Sequence, residues 1–102
     1  MHKIVNSAEL NPTGSSLQGY VRTTLAELTE VFGEPTYRNP DHYDKVNTEW
    51  VLLINGVLVT VYNWKTGTTP TDMYDWHVGG KDNRSEELVH DCIEHHRTLF
   101  SD

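Results

Sequence analysis

The dipeptide Asn55-Gly56 most limits what this chain can fold into, because it separates two runs rich in Val, Leu, Ile and aromatic residues. A type I′ turn needs positive φ at both central residues, and Asn and Gly tolerate this best. The sequence therefore predicts an antiparallel hairpin over residues 47–64. A two-residue turn also fixes the register, which places Ile54 opposite Val57.

The two faces of this hairpin differ in composition, because side chains alternate along a strand. One face is wholly apolar and is expected to lie on the core: Trp50, Leu52, Ile54, Val57, Val59 and Val61. The other face is mixed, with Glu49 opposite Tyr62 and Asn47 opposite Trp64. Either these cross-strand pairs simply stabilise the hairpin, or the face binds a partner or ligand.

Two helices are predicted from their start signals and apolar stripes. Thr24 and Glu27 form a capping box before a helix over 25–32, which Gly33 and Pro35 end.

Asn83 and Glu86 have the same capping form before a helix over 84–100. Its stripe is expected to meet the sheet through Leu88, Cys92 and Leu99.

Two further strands are predicted, over 17–22 and 73–78. Gly19 indicates a bulge or a close backbone approach within the first strand, and Gly79-Gly80 is expected to end the second. Residues 1–16 are read as a loose arm or an edge strand, and 36–45 as a loop.

These elements predict one α+β domain over 1–102. The small antiparallel sheet consists of the 47–64 hairpin and the strands 73–78 and 17–22, and both helices (25–32 and 84–100) pack on one face. The opposite sheet face stays open unless something covers it.

Composition excludes several functional classes. The 102 residues are 36% hydrophobic and 23% charged, as in ordinary soluble domains. No membrane span, signal peptide or disulfide is expected, which predicts a cytoplasmic protein.

The charge also limits the expected partners. The net charge is −7, and the eight basic residues form no cluster, so direct nucleic-acid binding is not expected. An acidic chain can associate with a basic protein surface, including that of a nucleic-acid-binding enzyme, although acidity can also serve solubility alone.

Candidate chemistry is sparse. Asp75 and His77 share a strand face near Glu49, which is one arrangement for acid–base catalysis, but no motif supplies a nucleophile. His90, His95 and His96 lack the i, i+4 pairing of helical metal sites. No metal, cofactor or enzymatic activity is therefore predicted.

Aromatic residues remain as candidates for contact. Trp50 and Trp76 are assigned to the core. The predicted contact residues for a partner or ligand are Glu49, Tyr62, Trp64, Asp75 and His77.

Several segments together resemble a family of small bacteriophage-encoded accessory proteins: Leu17-Gln18-Gly19-Tyr20, Phe32-Gly33-Glu34-Pro35, Glu49-Trp50-Val51-Leu52, Tyr62-Asn63-Trp64-Lys65 and Asp75-Trp76-His77-Val78-Gly79-Gly80. The resemblance implies action in the host bacterial cytoplasm, and it assigns no site residues.

By analogy with such proteins, we expect non-catalytic binding and inhibition of a host protein, such as a CRISPR–Cas effector. Two alternatives stay open: a sponge for a nucleotide signal of bacterial immunity, and a small hydrolase using Asp75 and His77. The open sheet face is also expected to allow a homodimer.

Overall fold

The computed structural model describes residues 2–39 and 45–100 and contains eight elements in chain order. They are β1 (Ile4–Asn6), β2 (Ser16–Thr23), α1 (Leu25–Phe32), β3 (Tyr37–Arg38), β4 (Thr48–Ile54), β5 (Val57–Tyr62), β6 (Tyr74–Gly80) and α2 (Arg84–Leu99). The strands form one six-stranded antiparallel sheet in the order β1-β4-β5-β6-β2, and β3 also pairs with β4. The predicted α+β class is confirmed.

The central hairpin has the predicted turn and register. Asn55 and Gly56 have φ angles of 51° and 80°, and Ile54 pairs with Val57. The predicted pairing of Asn47 with Trp64 is wrong, because the ladder ends earlier. The Asn63 side chain instead accepts hydrogen bonds from the backbone N–H groups of Asn47 and Thr48, both at 3.1 Å.

One edge of β4 is shared by two short strands. β1 pairs with the end of β4 nearest the turn, and β3 pairs with its beginning. Between them, the Thr36 hydroxyl accepts from Val51 N–H at 2.8 Å and donates to Asn6 Oδ1 at 2.5 Å. Of the two interpretations of residues 1–16, the edge strand is therefore observed. The prediction of loop throughout 36–45 is wrong at 37–38, and residues 40–44 lie outside the described part.

The inner face of the sheet, which we define as the face that the helices cover, carries the core. Trp50 and Trp76 are fully buried there, with ring centroids 5.5 Å apart and nearly perpendicular planes. Val89 and Ile93 of α2 are buried with Cys92, whereas the predicted core residue Leu99 is 65% exposed. The buried face of α2 therefore ends at Ile93, before the predicted core residue Leu99.

Glycines bring β2, β6 and α2 into close approach. Gly79 and Gly80 continue β6 instead of ending it, and a Cβ at Gly80 would lie 2.5 Å from the buried Ser85 Oγ. Gly19 marks the predicted irregularity in β2, where the register shifts. A Cβ at Gly19 would collide with the Glu86 carboxylate.

The expected capping box at Asn83 is wrong, because the Glu86 side chain contacts β2 instead of the start of its own helix. Asn83 makes no side-chain cap hydrogen bond, and Asp82 Oδ1 accepts from Arg84 N–H instead. The Glu86 carboxylate accepts from the backbone N–H of Tyr20 at 3.1 Å. A tertiary partner thus replaces the local one.

The outer face, opposite the helices, is partly covered by the chain itself. β1 and β2 lie at opposite edges of the sheet, so residues 7–15 must cross between them. Pro12 and Ser15 of this segment line a cleft with Glu49 and Tyr62 of the outer face. The expectation of a fully open outer face is therefore corrected.

Candidate functional site

Register across the sheet places five side chains in one row on the outer face. Tyr37 pairs with Glu49, Glu49 with Tyr62, Tyr62 with His77, and His77 with Tyr20. Directly opposed residues on one face lie within contact distance of each other. We call this set the aromatic row. It crosses five strands, and the sequence places its members in five separate segments.

Trp64 lies just beyond β5 and joins the row at His77. The centroid of the His77 ring lies 4.9 Å from that of Tyr20, 5.4 Å from that of Tyr62 and 6.2 Å from that of Trp64. The Trp64 backbone N–H donates to the Tyr74 hydroxyl at 3.1 Å, which fixes the chain there. Tyr20 and Trp64 remain 47% and 40% exposed.

A cleft of about 310 Å³ lies between the row and the crossing segment. Pro12 and Ser15 form one wall, and Glu49, Tyr62 and Trp64 form the other. The Ser15 hydroxyl is buried without a hydrogen-bond partner among the described residues. The cleft therefore combines aromatic surface with the Glu49 carboxylate, and a few polar groups within an apolar lining are typical of binding sites.

Glu49 is the one carboxylate of the aromatic row. Glu49 is half-buried, and its carboxylate makes no hydrogen bond or ion pair with the residues that the structure describes. It also lines a second cleft, of about 200 Å³, beside Tyr37. Burial raises the pKa of Glu49, and burial followed by the nearby Glu49 charge raises that of Tyr62.

The predicted Asp75–His77 pair does not form. Both residues lie on the outer face, but Asp75 forms an ion pair with Arg22 at 3.4 Å. His77 Nδ1 is buried without a hydrogen-bond partner among residues 2–39 and 45–100. Burial lowers the pKa of His77, the opposite of the increase expected from a neighbouring carboxylate. Of the predicted site residues, Glu49, Tyr62, Trp64 and His77 therefore cluster, and Asp75 is engaged elsewhere.

Two cations lie beside Trp64, more than the sequence indicated. The ammonium groups of Lys45 and Lys65 are 5.9 Å and 5.8 Å from its ring centroid, within cation–π range. The backbone N–H of Lys65 donates to the Lys45 carbonyl at 2.7 Å, which brings the two residues together.

The helix histidines have separate partners. His96 lies between two carboxylates, with Nδ1 3.3 Å from Glu27 and Nε2 3.0 Å from Glu30. His90 Nε2 is 2.8 Å from the Tyr20 carbonyl oxygen. Among the described residues, no group of three or more His, Cys, Asp or Glu side chains could hold a metal ion. Burial raises the pKa of Cys92 to about 11, which keeps this thiol protonated.

Sequence reasoning missed Tyr20, Tyr37 and Ser15. The sequence predicts that Tyr20 lies in a strand, but it does not predict that this strand pairs with β6. The alternation along β2 shows only that Tyr20 and Val21 point to opposite faces. The crossing segment depends on the strand order, which no local pattern encodes.

No protein-family model, curated protein or solved structure matches this chain. In the part of the chain that the structure describes, neither helix is long and apolar enough to span a bilayer.

Proposed function

We propose that this chain is a small phage-type protein that acts without catalysis, by binding a host bacterial protein and inhibiting it. The observation that carries the proposal is the aromatic row with Trp64, in which the rings of Tyr20, Tyr62, Trp64 and His77 contact one another on the outer face. Aromatic side chains are the residues most enriched at protein-binding hot spots. They also lie on rigid strands, so little conformational entropy is lost when they are buried.

The proposed target is a defence component such as a CRISPR–Cas effector. This part rests on the resemblance to small phage accessory proteins and on the net charge of −7. An acidic protein is attracted to the basic surfaces of nucleic-acid-binding enzymes, and this attraction speeds association.

Capture from bacterial lysate tests the proposal. The tagged protein is compared with Tyr20→Ala/Trp64→Ala, which removes two exposed rings of the site. The matched control is Leu99→Ala/Phe100→Ala, which removes two other exposed apolar side chains, 65% and 76% accessible, on the far side of the molecule. We expect one stoichiometric partner that is lost only with the first variant. Capture that both double variants reduce equally would contradict a specific site.

A second candidate function is favoured by Lys45 and Lys65. Two ammonium groups beside an exposed indole ring suit a planar anion, such as a nucleotide signal. However, pockets for drug-sized ligands span about 300–1,000 Å³, and the cleft lies at the lower end with about 310 Å³. Calorimetry with cyclic nucleotides tests this alternative, which requires Lys45→Ala/Lys65→Ala to abolish binding.

The hydrolase alternative has less support. Asp75 is engaged by Arg22, and within the described residues no carboxylate is hydrogen-bonded to His77 Nδ1. Retention of cellular activity by His77→Gln would argue against it, since glutamine cannot act as a general base.

A further inference from the structure

Glu49 is a carboxylate on a sheet face that has aromatic neighbours on both sides. Its strand neighbours in the row are Tyr37 and Tyr62, and it lines a cleft on each side. A half-buried carboxylate without a hydrogen-bond partner is unfavourable, because desolvation is not compensated. Such a group is retained at a cost to stability and is a candidate binding determinant.

We infer that the cleft at Glu49 binds an arginine side chain of the protein partner, with the guanidinium on the Glu49 carboxylate and against the Tyr62 ring. This assignment rests on the proposed function and names the group that would be recognised.

The chemistry of the site selects a guanidinium over other groups. Arginine is planar, stacks on aromatic faces and is more weakly hydrated than an ammonium, so it is suited to partly buried ion pairs. It can also donate two parallel hydrogen bonds to one carboxylate. The cleft volume of about 310 Å³ suits one long side chain.

Charges around the cleft are compatible with this ligand. The lowered pKa of His77 keeps the imidazole neutral, so it does not repel a cation. Lys45 and Lys65 lie at the Trp64 end of the site, where their charges repel a cation, so the guanidinium is assigned to the Glu49 end. Neither lysine forms an ion pair with Glu49 within the described residues.

NMR titration of the ¹⁵N-labelled full chain tests the inference. The probes are a capped Gly-Arg-Gly peptide and the same peptide with citrulline, which keeps the shape and removes the charge. We expect the arginine peptide to shift the amide signals of Glu49, Tyr62 and His77, and Glu49→Gln to weaken binding at least tenfold. The matched control is Glu87→Gln, an exposed change on α2, which should leave the affinity unchanged.

Three outcomes would overturn the inference. The first is equal binding of the citrulline peptide. The second is tighter binding of free arginine than of the capped peptide, which would indicate a small-molecule ligand. The third is stronger binding of a nucleotide to Glu49→Gln than to the unmodified chain, which would assign the cleft to anions. As a control, a cooperative unfolding curve of Glu49→Gln is required to establish that the variant is folded.

Two experiments together distinguish a wrong arginine assignment from a wrong proposed function. If Tyr20→Ala/Trp64→Ala abolishes capture of the partner and Glu49→Gln does not, the protein contact stands and the arginine assignment is wrong. If no variant of the outer face changes capture while the peptide still binds, the proposed surface is wrong and the arginine subsite stands.

Discussion

Glu27 and Glu49 are the same residue type in two parts of one small domain, and their surroundings are opposite. The Glu27 side chain is 17% exposed, and it accepts hydrogen bonds from Thr23 Oγ1 at 2.5 Å and from Arg97 Nη2 at 2.9 Å. Burial alone would raise its pKa, but the hydrogen bonds from Arg97, Thr23 and His96 and the Arg97 charge outweigh burial and lower it. The Glu49 carboxylate has no such partners in the part of the chain that the structure describes, and burial raises its pKa.

The difference separates a carboxylate that holds the fold from one that is available to a ligand. Glu27 ties α1 to α2 and, through Thr23, to the end of β2. Glu49 connects nothing in the described chain. Residues that lower stability in the free protein are expected at binding sites, where a partner compensates for them.

The largest expected effect comes from removing the Glu27 carboxylate. Glu27→Ala should lower the free energy of unfolding by about 2 kcal/mol, because it leaves the hydroxyl of the buried Thr23 without its acceptor and removes the ion pair with Arg97, which keeps only the Arg22 carbonyl as an acceptor among the described residues. Urea denaturation measures this change. Glu30→Ala is the control: its side chain is 64% exposed, and its one ion-pair partner among the described residues is His96, so a loss below about 1 kcal/mol is expected. Equal losses would mean that the network around Glu27 is not structural.

Glu49→Gln should act in the opposite direction. Replacing an unpaired, desolvated charge with a neutral amide of the same shape is expected to raise the free energy of unfolding by up to about 1 kcal/mol at neutral pH. The same urea experiment tests it, with Glu87→Gln expected to stay within about 0.5 kcal/mol. A destabilised Glu49→Gln would show that the carboxylate has a structural partner after all.

Local patterns predicted the parts of this fold that depend on local chemistry. The Asn55-Gly56 turn requires positive φ, and so the register of β4 on β5 followed from the sequence alone. Thr24 accepts from Glu27 N–H as the capping pattern predicts. The Glu27 side chain, however, binds Thr23 and Arg97 instead of closing the capping box. The Glu86 side chain likewise binds the Tyr20 N–H. In both helices a partner outside the cap replaces the local one.

The candidate site was predictable only in part for the same reason. Tyr62 and Glu49 face each other across a hairpin whose register is local, and both were predicted. Tyr20 contacts His77 only because β2 pairs with β6. The same pairing places Arg22 opposite Asp75, so Asp75 forms an ion pair with Arg22 and not with His77. Strand order depends on the whole chain, so these contacts had no signal in sequence spacing.

Glu27 and Glu49 should also make opposite contributions to the pH dependence of the free energy of unfolding. The folded-state pKa of Glu27 lies below the ordinary glutamate value of 4.5, so its stabilising contribution is present above that pH and is lost as the pH falls through the folded pKa. The folded-state pKa of Glu49 lies above 4.5, so the folded state is favoured below 4.5 and loses that contribution as the pH rises through the folded pKa.

Unfolding curves from acid to neutral pH measure both effects. The stability difference between the unmodified chain and Glu27→Ala should shrink on acidification. The advantage of Glu49→Gln should grow from acid towards neutral pH. Expressed as variant minus unmodified chain, the stability difference should become more negative for Glu27→Ala and more positive for Glu49→Gln as the pH rises. Two signed differences that change in the same direction would contradict the assignment of one carboxylate as paired and the other as unpaired.

The smallest effect on stability is expected at Trp64, which completes the site without supporting the core. Its ring is 40% exposed, and the hydrogen bond to Tyr74 uses its backbone N–H, which alanine keeps. Trp64→Ala should therefore lower the free energy of unfolding by less than about 1 kcal/mol while reducing capture of the partner. Urea denaturation and quantitative capture give the two numbers on one protein sample. A loss of stability as large as that of Glu27→Ala would assign the Trp64 ring to the fold, and Trp64 would then not belong to the proposed contact surface.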